Sequence, residues 1–248
     1  METLIARHQN RGSGELRPHH FQLDFAPYAE GSVLIQTGET RVLCTATVEE
    51  HVPSWLLEHN KGWVTAEYSM LPRATQNRNK RENNRTSGRT QEIQRIIGRA
   101  LRSVTDLKIL GQRRIILDCD VIQADAGTRT ASITGSWIAL ALACDKLVRE
   151  GKIPRWPLSD QVAAVSLGAK NGHVLLDLDY KEDASADVDL NLVMTGSGRL
   201  VEVQGCGEES TFDRKELNDM IDLGWTGLQS LFEMQRQALR SKGIERHG

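Results

Sequence analysis

The 248-residue chain predicts an α+β fold of two similar lobes set back to back. Short β-branched runs separated by turn residues read as antiparallel hairpins. Long segments carry apolar residues at helical spacing. The hairpin around Gly38 reads as a copy of the one around Gly172, the pattern a duplicated unit leaves.

Residues 32–36 (SVLIQ) and 41–48 (RVLCTATV) are apolar strands joined by TGET, whose residues suit a tight turn. Residues 114–123 (RIILDCDVIQ) form a further strand, with Asp118 and Asp120 alternating with apolar neighbours. Later strands fall at 162–168, 173–180, 187–194 and 200–204, and KNG at 170–172 marks another tight turn. The first helix starts near Ser87 as its cap, with Ile93, Ile96, Ile97, Ala100, Leu101 and Val104 recurring at helical spacing. The second covers about 131–150 and is apolar almost throughout its middle, which predicts burial on every side. The third runs from about 213 to 241, with Leu217, Met220, Ile221, Leu228, Leu231, Phe232 and Leu239 on one side. The order is hairpin, strand, helix, strand, helix, then hairpin, strands, helix. EGKIPRWPLSD at 150–160 is the connector between lobes.

A hydrophobic share of 39% with 26% charged residues fits a globular chain rather than a disordered one. No apolar run approaches the roughly 20 residues of a membrane span, and the opening METLIARHQNRGSG lacks the apolar core of a secretory signal. The expectation is a cytoplasmic protein with no membrane partner. Cys44, Cys119, Cys144 and Cys206 are far apart, with no Cys-x-x-Cys and no Cys/His cluster, so they read as reduced, structural thiols rather than zinc ligands.

Three stretches point to chemistry. Although the net charge is only −2, residues 77–102 concentrate Arg78, Lys80, Arg81, Arg85, Arg89, Arg95, Arg99 and Arg102 against two acids. Arg95, Arg99 and Arg102 share the helix face opposite the isoleucines and read as a solvated stripe. Arg73, Arg78, Lys80, Arg81 and Arg85 lie in a loop almost free of apolar residues. They suit a polyphosphate backbone, or else a solvated surface balanced by acids elsewhere. Arg89 sits in the first helical turn, where a cation opposes the helix dipole. It makes sense if an anion binds there, or if it pairs with a core acid. In QADAGTRTASITGS (123–136) a strand ends, a Gly permits a tight turn and a helix begins. Gly127, Thr128 and Arg129 offer amides, a hydroxyl and a guanidinium, the parts of a small-anion cradle. No Walker or dinucleotide spacing is present. In DLDYKEDASADVDLNLVMTGSG (177–198), Asp177, Asp179, Glu182, Asp183, Asp187 and Asp189 crowd together, with Asp187 and Asp189 on one strand face. A divalent metal, an arginine cluster or a raised pKa would relieve their repulsion.

KGWVTAEYSMLPRAT (61–75), SGRTQEIQRIIGRALR (87–102), DCDVIQADAGTRTASITG (118–135) and DLDYKEDASADVDLNLVMTGSGRLVEVQG (177–205) together resemble the ribonuclease PH family, in order and over essentially the whole chain. ELRP at 15–18 fits that family's N-terminal strand. The resemblance implies two βαβ-type lobes of the ribosomal protein S5 domain 2-like fold, making one compact domain over 1–248. It implies a phosphate-dependent 3′ exoribonuclease, a tRNA nucleotidyltransferase, that trims tRNA precursors and rRNA. Inorganic phosphate is the co-substrate, nucleoside 5′-diphosphates are released, and the step is reversible. It further implies a homohexamer built as a trimer of dimers.

Carried onto this chain, the family's phosphate site falls on Arg89, Gly127, Thr128 and Arg129, and its RNA-gripping arginines on Arg73, Arg78, Arg81 and Arg85. The acids are Asp183 and Asp189, as proton donor and partner or as Mg²⁺ ligands. Four features depart from the family pattern: Ala126 for the first of two glycines, the opening RHQNRGSGELRP for the usual Asp-Gly-Arg start, Cys206 for a small hydroxyl residue, and Asn191 where polymerising relatives carry Lys. A catalytically inactive RNA-binding ring subunit is the alternative, which the retained Arg89, Arg129, Asp183 and Asp189 oppose. A small-molecule kinase would need a glycine-rich nucleotide loop, and none is found.

Overall fold

The computed structural model describes residues 7, 10–81, 87–208 and 210–245. Among the described residues two sheets form. The first contains β1 (His19–Leu23), β2 (Gly31–Thr37), β3 (Thr40–Glu49), β4 (Trp63–Met70) and β5 (Arg114–Gln123) in the order β1-β2-β3-β5-β4. Only the β4–β5 pair is parallel. The second contains β6 (Val162–Lys170), β7 (His173–Leu176), β8 (Val188–Thr195) and β9 (Leu200–Gly207), antiparallel in the order β7-β6-β8-β9. The helices are α1 (Gly88–Ser103), α2 (Leu107–Leu110), α3 (Thr128–Arg149), α4 (Tyr180–Asp183) and α5 (Arg214–Arg240), with a 3₁₀ turn at Ser54–His59. The mixed α+β class is as the sequence predicts.

Both hairpin turns form as their residues dictate. Gly38 takes φ 57° in the first, and Asn171 and Gly172 take φ 51° and 74° in the second, values that L side chains other than Asn and Asp resist. Ser87 caps α1 by accepting from the Thr90 amide, and the isoleucines at 93, 96 and 97 are buried. Helix α3 lies between the sheets, packed on β2 and β3 from one side and β6 from the other, and every residue from Thr130 to Asp145 is buried. Close approach sets its composition: a Cβ on Gly135 would stand 2.8 Å from Cys44 Sγ and from Ile35. Contrary to the expectation that no run approaches the length of a span, α3 is long and apolar enough to cross a membrane, yet its apolar surface is covered by the two sheets. Helix α5 packs on β6, β7 and β8 and closes the second core around Leu167, Leu190, Leu228 and Phe232.

Several expectations need correction. The strand read at 173–180 ends at Leu176. Asp177 then turns the chain with φ 54°, and 180–183 form a helical turn capped by Asp179. ELRP at 15–18 precedes β1 rather than forming it. The basic face of α1 is only partly solvated: Arg99 pairs with Glu202 at 2.6 Å, while Arg102 lies 4.3 Å over the Trp63 ring and donates to the Val64 carbonyl. Asp187 does not share a task with Asp189, since its carboxylate accepts the Asn171 amide and pins the second hairpin. Residues 150–160, read as the connector, run from α3 to β6 of the second sheet, with Ile153 and Leu158 buried. Cys44, Cys119 and Cys144 are buried free thiols; Cys206 is free and exposed.

Candidate active site

A cleft of about 810 Å³ opens where the two sheets meet. One wall comes from the starts of α1 and α3, the other from α4 and β8.

The α3 start is built from strain and buried hydrogen bonds. Ala126 and Gly127 take φ 55° and 65° in succession, turning the chain from β5 into the helix. The Thr40 hydroxyl holds this turn by donating to the Ala126 carbonyl (2.6 Å) and accepting from the Asp125 amide (2.8 Å). Among the described residues no side chain caps the first turn of α3, and Gly127, Thr128 and Arg129 line the cleft at the positive end of its dipole. Thr128 Oγ1 meets the buried Tyr68 hydroxyl at 2.8 Å. Arg129 donates from Nη1 to Gln204 Oε1, and Gln204 in turn donates to Glu92 at 2.6 Å, so the guanidinium is aimed from β9 and α1. Arg89 is exposed and lines the same cleft, and among the described residues it has no ion-pair partner within 4 Å. A salt bridge to a core acid is therefore not what holds it. Burial, and next the field of Arg89, lower the Arg129 pKa, so the two cations repel across the cleft. An anion between them removes that cost.

Position 126 carries a backbone penalty, since Ala stands there at φ 55° where the family pattern has Gly. An L residue with a Cβ in the left-handed region costs about 1 kcal/mol relative to Gly. Ala126→Gly should therefore raise Tm by ~2–4 °C for a chain of this size, checked by thermal melting. No change or a fall would mean that the Cβ contributes compensating contacts.

The acid wall resolves the carboxylate crowd into two groups. Asp177, Asp179 and Glu182 are tied down. Burial alone would raise Asp177 and Glu182, but Arg17 on the first and Arg7 on the second hold both below the usual carboxylate range. Arg7 and Arg11, nearly buried, donate to Glu182 at 2.8–2.9 Å, and Asp179 caps α4. Asp183 and Asp189 face the cleft and shift the other way. Desolvation, then Asp189, push Asp183 up; desolvation, then Glu208, push Asp189 up; Arg89 and Arg129 oppose both rises. Asp189 Oδ1 is buried and has no hydrogen-bond partner among the described residues. That orphaned oxygen and its carboxylate neighbour fit the hard donor set that Mg²⁺ takes. Cross-strand register also brings Cys206 opposite Asp189, so that ligand atoms of Asp189, Cys206 and Glu208 lie within 4.8 Å of one another.

Arg89, Gly127, Thr128, Arg129, Asp183 and Asp189 thus line one cleft, as does Asn191. Arg73, Arg78 and Arg81 are exposed on the loop after β4, whose Thr75, Gln76, Asn77 and Asn79 form the cleft rim. Arg85 lies outside the described residues. Sequence reasoning missed Tyr68, Gln204 and Arg17, whose partners stand 60 to 160 positions away in the chain. For Arg17, ELRP was the available signal.

A two-sheet α+β chain with paired guanidiniums facing paired carboxylates defines a phosphate-handling class, and the comparisons give that class its family. Residues 15–144 match domain 1 of the 3′ exoribonuclease family and residues 160–227 match its domain 2. The ribonuclease PH of Crocosphaera subtropica is 55% identical over 233 residues, covering 94% of this chain and 97% of the relative. That of Bacillus subtilis is 56% identical over 236 residues, covering 94% and 96%. The chain belongs to the ribonuclease PH family. Similar solved structures share the fold: the Archaeoglobus fulgidus exosome with RNA bound to the active site (TM-score 0.78, 20% identity, 92% of each chain) and rice Rrp46 (TM-score 0.77, 18% identity, 94% of this chain and 100% of that one).

Proposed function

We propose that the cleft holds one orthophosphate between Arg89, Arg129, Thr128 and the open amides of the α3 start, in line with the last linkage of an RNA 3′ end. The chain is a phosphorolytic 3′ exoribonuclease acting in tRNA processing, with phosphate as co-substrate. The observation that carries the site assignment is the convergence of two mutually repelling guanidiniums, from separate helix starts, on a cleft that also holds Asp183 and Asp189.

The two cations offset the repulsion between attacking phosphate and the phosphodiester, and the rigid α3 turn sets the attack direction. The phosphorus–O3′ bond to the penultimate nucleotide breaks as the phosphate oxygen bonds, releasing a nucleoside 5′-diphosphate. Asp189, held toward its protonated form, delivers the proton to the departing 3′ oxygen, with Asp183 as its partner. The alternative role for these acids is to hold Mg²⁺: Asp189 would then be ionised, and the metal rather than a proton would neutralise charge on the transferring group. Asn191 brings no cation to the reacting oxygen, so that charge rests on Arg89 and Arg129. The exposed Arg73, Arg78 and Arg81, with Arg85, grip the RNA backbone upstream. The ring is a hexamer, the chain one domain of two lobes, and its setting the cytoplasm.

Incubation with a 3′-extended tRNA should release nucleoside diphosphates only when phosphate is added, and excess diphosphate should drive extension. No diphosphate release, or monophosphate release without phosphate, would overturn the reading and leave an RNA-binding ring subunit.

A further inference from the structure

The cleft has halves from different sheets: the anion turn follows β5, and the acids follow β7. Something must fix their separation, because reactants need placement within about 1 Å and an error of that size costs about 10²-fold in rate. Arg17 spans the joint. It is 4% exposed. Its Nε and Nη2 donate to Asp177 Oδ1 at 3.1 and 2.7 Å, and its amide donates to Asp177 Oδ2 at 2.8 Å. Its remaining nitrogen, Nη1, donates to the Asp125 carbonyl at 2.5 Å. Nη2 also lies under the anion turn, 2.8 Å from where a Cβ on Gly127 would stand. A second tie runs the same way, from the Tyr180 amide to Asp125 Oδ1 at 3.2 Å. Asp177 leads into α4, which carries Asp183; Asp125 leads into the turn that carries Thr128 and Arg129.

We infer that Arg17 is a positioning residue that sets the span between the phosphate turn and the acid-bearing turn, with Asp125 as the second strand of the clamp. This rests on the phosphorolytic reading, and Arg17 itself touches no reacting atom. A planar guanidinium serves here because it grips a carboxylate and a carbonyl at once.

The test compares Arg17→Met, Arg17→Lys, the charge-balanced Arg17→Met/Asp177→Asn pair and Asp125→Ala with wild type. Arg17→Met leaves Asp177 buried without its cation and risks misfolding; the pair removes both charges and keeps the question open. In the folded variants lacking the clamp, kcat at saturating phosphate and RNA should fall about 30- to 100-fold while the phosphate KM moves less than about threefold. Lys restores Tm but at most about a tenth of kcat, since one ammonium cannot make the fork. Asp125→Ala should lower kcat about tenfold with Tm unchanged. Hydrogen exchange, independent of catalysis, should show protection lost together in 124–130 and 177–183. A folded clamp-less variant with wild-type kcat, a phosphate KM that rises as steeply as kcat falls, or exchange confined to one segment would overturn the inference. Should wild type release no diphosphate, the phosphorolytic reading fails, and the exchange result alone still decides whether Arg17 couples the two turns.

Discussion

Asp189→Asn is expected to lower kcat by about 10³-fold while the phosphate KM stays within about threefold, measured by diphosphate release from a short RNA. The substitution keeps the shape of the side chain and removes its ability to titrate. Asp189 is half-buried beside Glu208, and both burial and that neighbour favour the protonated carboxyl. The sign of the pH dependence then separates two roles. A proton donor must be protonated at the moment of cleavage, so kcat falls as pH rises through the elevated pKa. A metal ligand must be ionised, so kcat rises over the same window. The wild-type profile is expected to show the descending limb and Asp189→Asn to lose it. Retention of wild-type kcat in the variant would remove Asp189 from the chemistry altogether.

Arg89→Ala should raise the phosphate KM about 10- to 100-fold, the loss that follows from removing a charge-assisted hydrogen bond, with the RNA KM little changed. Its cost to stability should be near zero. The side chain is exposed and has no ion-pair partner among the described residues. Removing a cation from the α1 start also relieves an unfavourable dipole contact of about 0.3–1 kcal/mol. An unchanged phosphate KM would refute the shared-anion site.

The elements that were legible in the sequence carry their cause locally. TGET and KNG hold the residues that tolerate positive φ, Ser87 is a cap with its helix directly behind it, and α3 lacks a polar face because it has no solvent side. The misreadings lie where the cause is local but brief or distant. The strand ending at Leu176 was extended because Leu178 continues the apolar run, whereas the buried Asp177 breaks it by pairing with Arg17, 160 positions away. Helix α4 is a single turn set by its Asp179–Glu182 capping box, too short for any periodicity. Of the site, the groups that would meet phosphate were readable because a Gly-bearing strand-to-helix turn and a cation at a helix start are both odd without an anion. The residues that aim those groups were not readable. Tyr68, Gln204 and Arg17 acquire their roles only when two sheets are brought together.

Helix α3, enclosed along nearly its whole length, has a consequence for how the enzyme admits its substrate. A wall with no free surface has nowhere to swing, so the Thr128–Arg129 side of the cleft is held in place by the packing of α3 on both sheets. The rim that an incoming strand meets first is the exposed stretch 75–79 after β4. Entry and grip then become properties of that outer segment, and bond cleavage a property of a fixed inner anvil, so that changing which strand is admitted need not alter how it is cut.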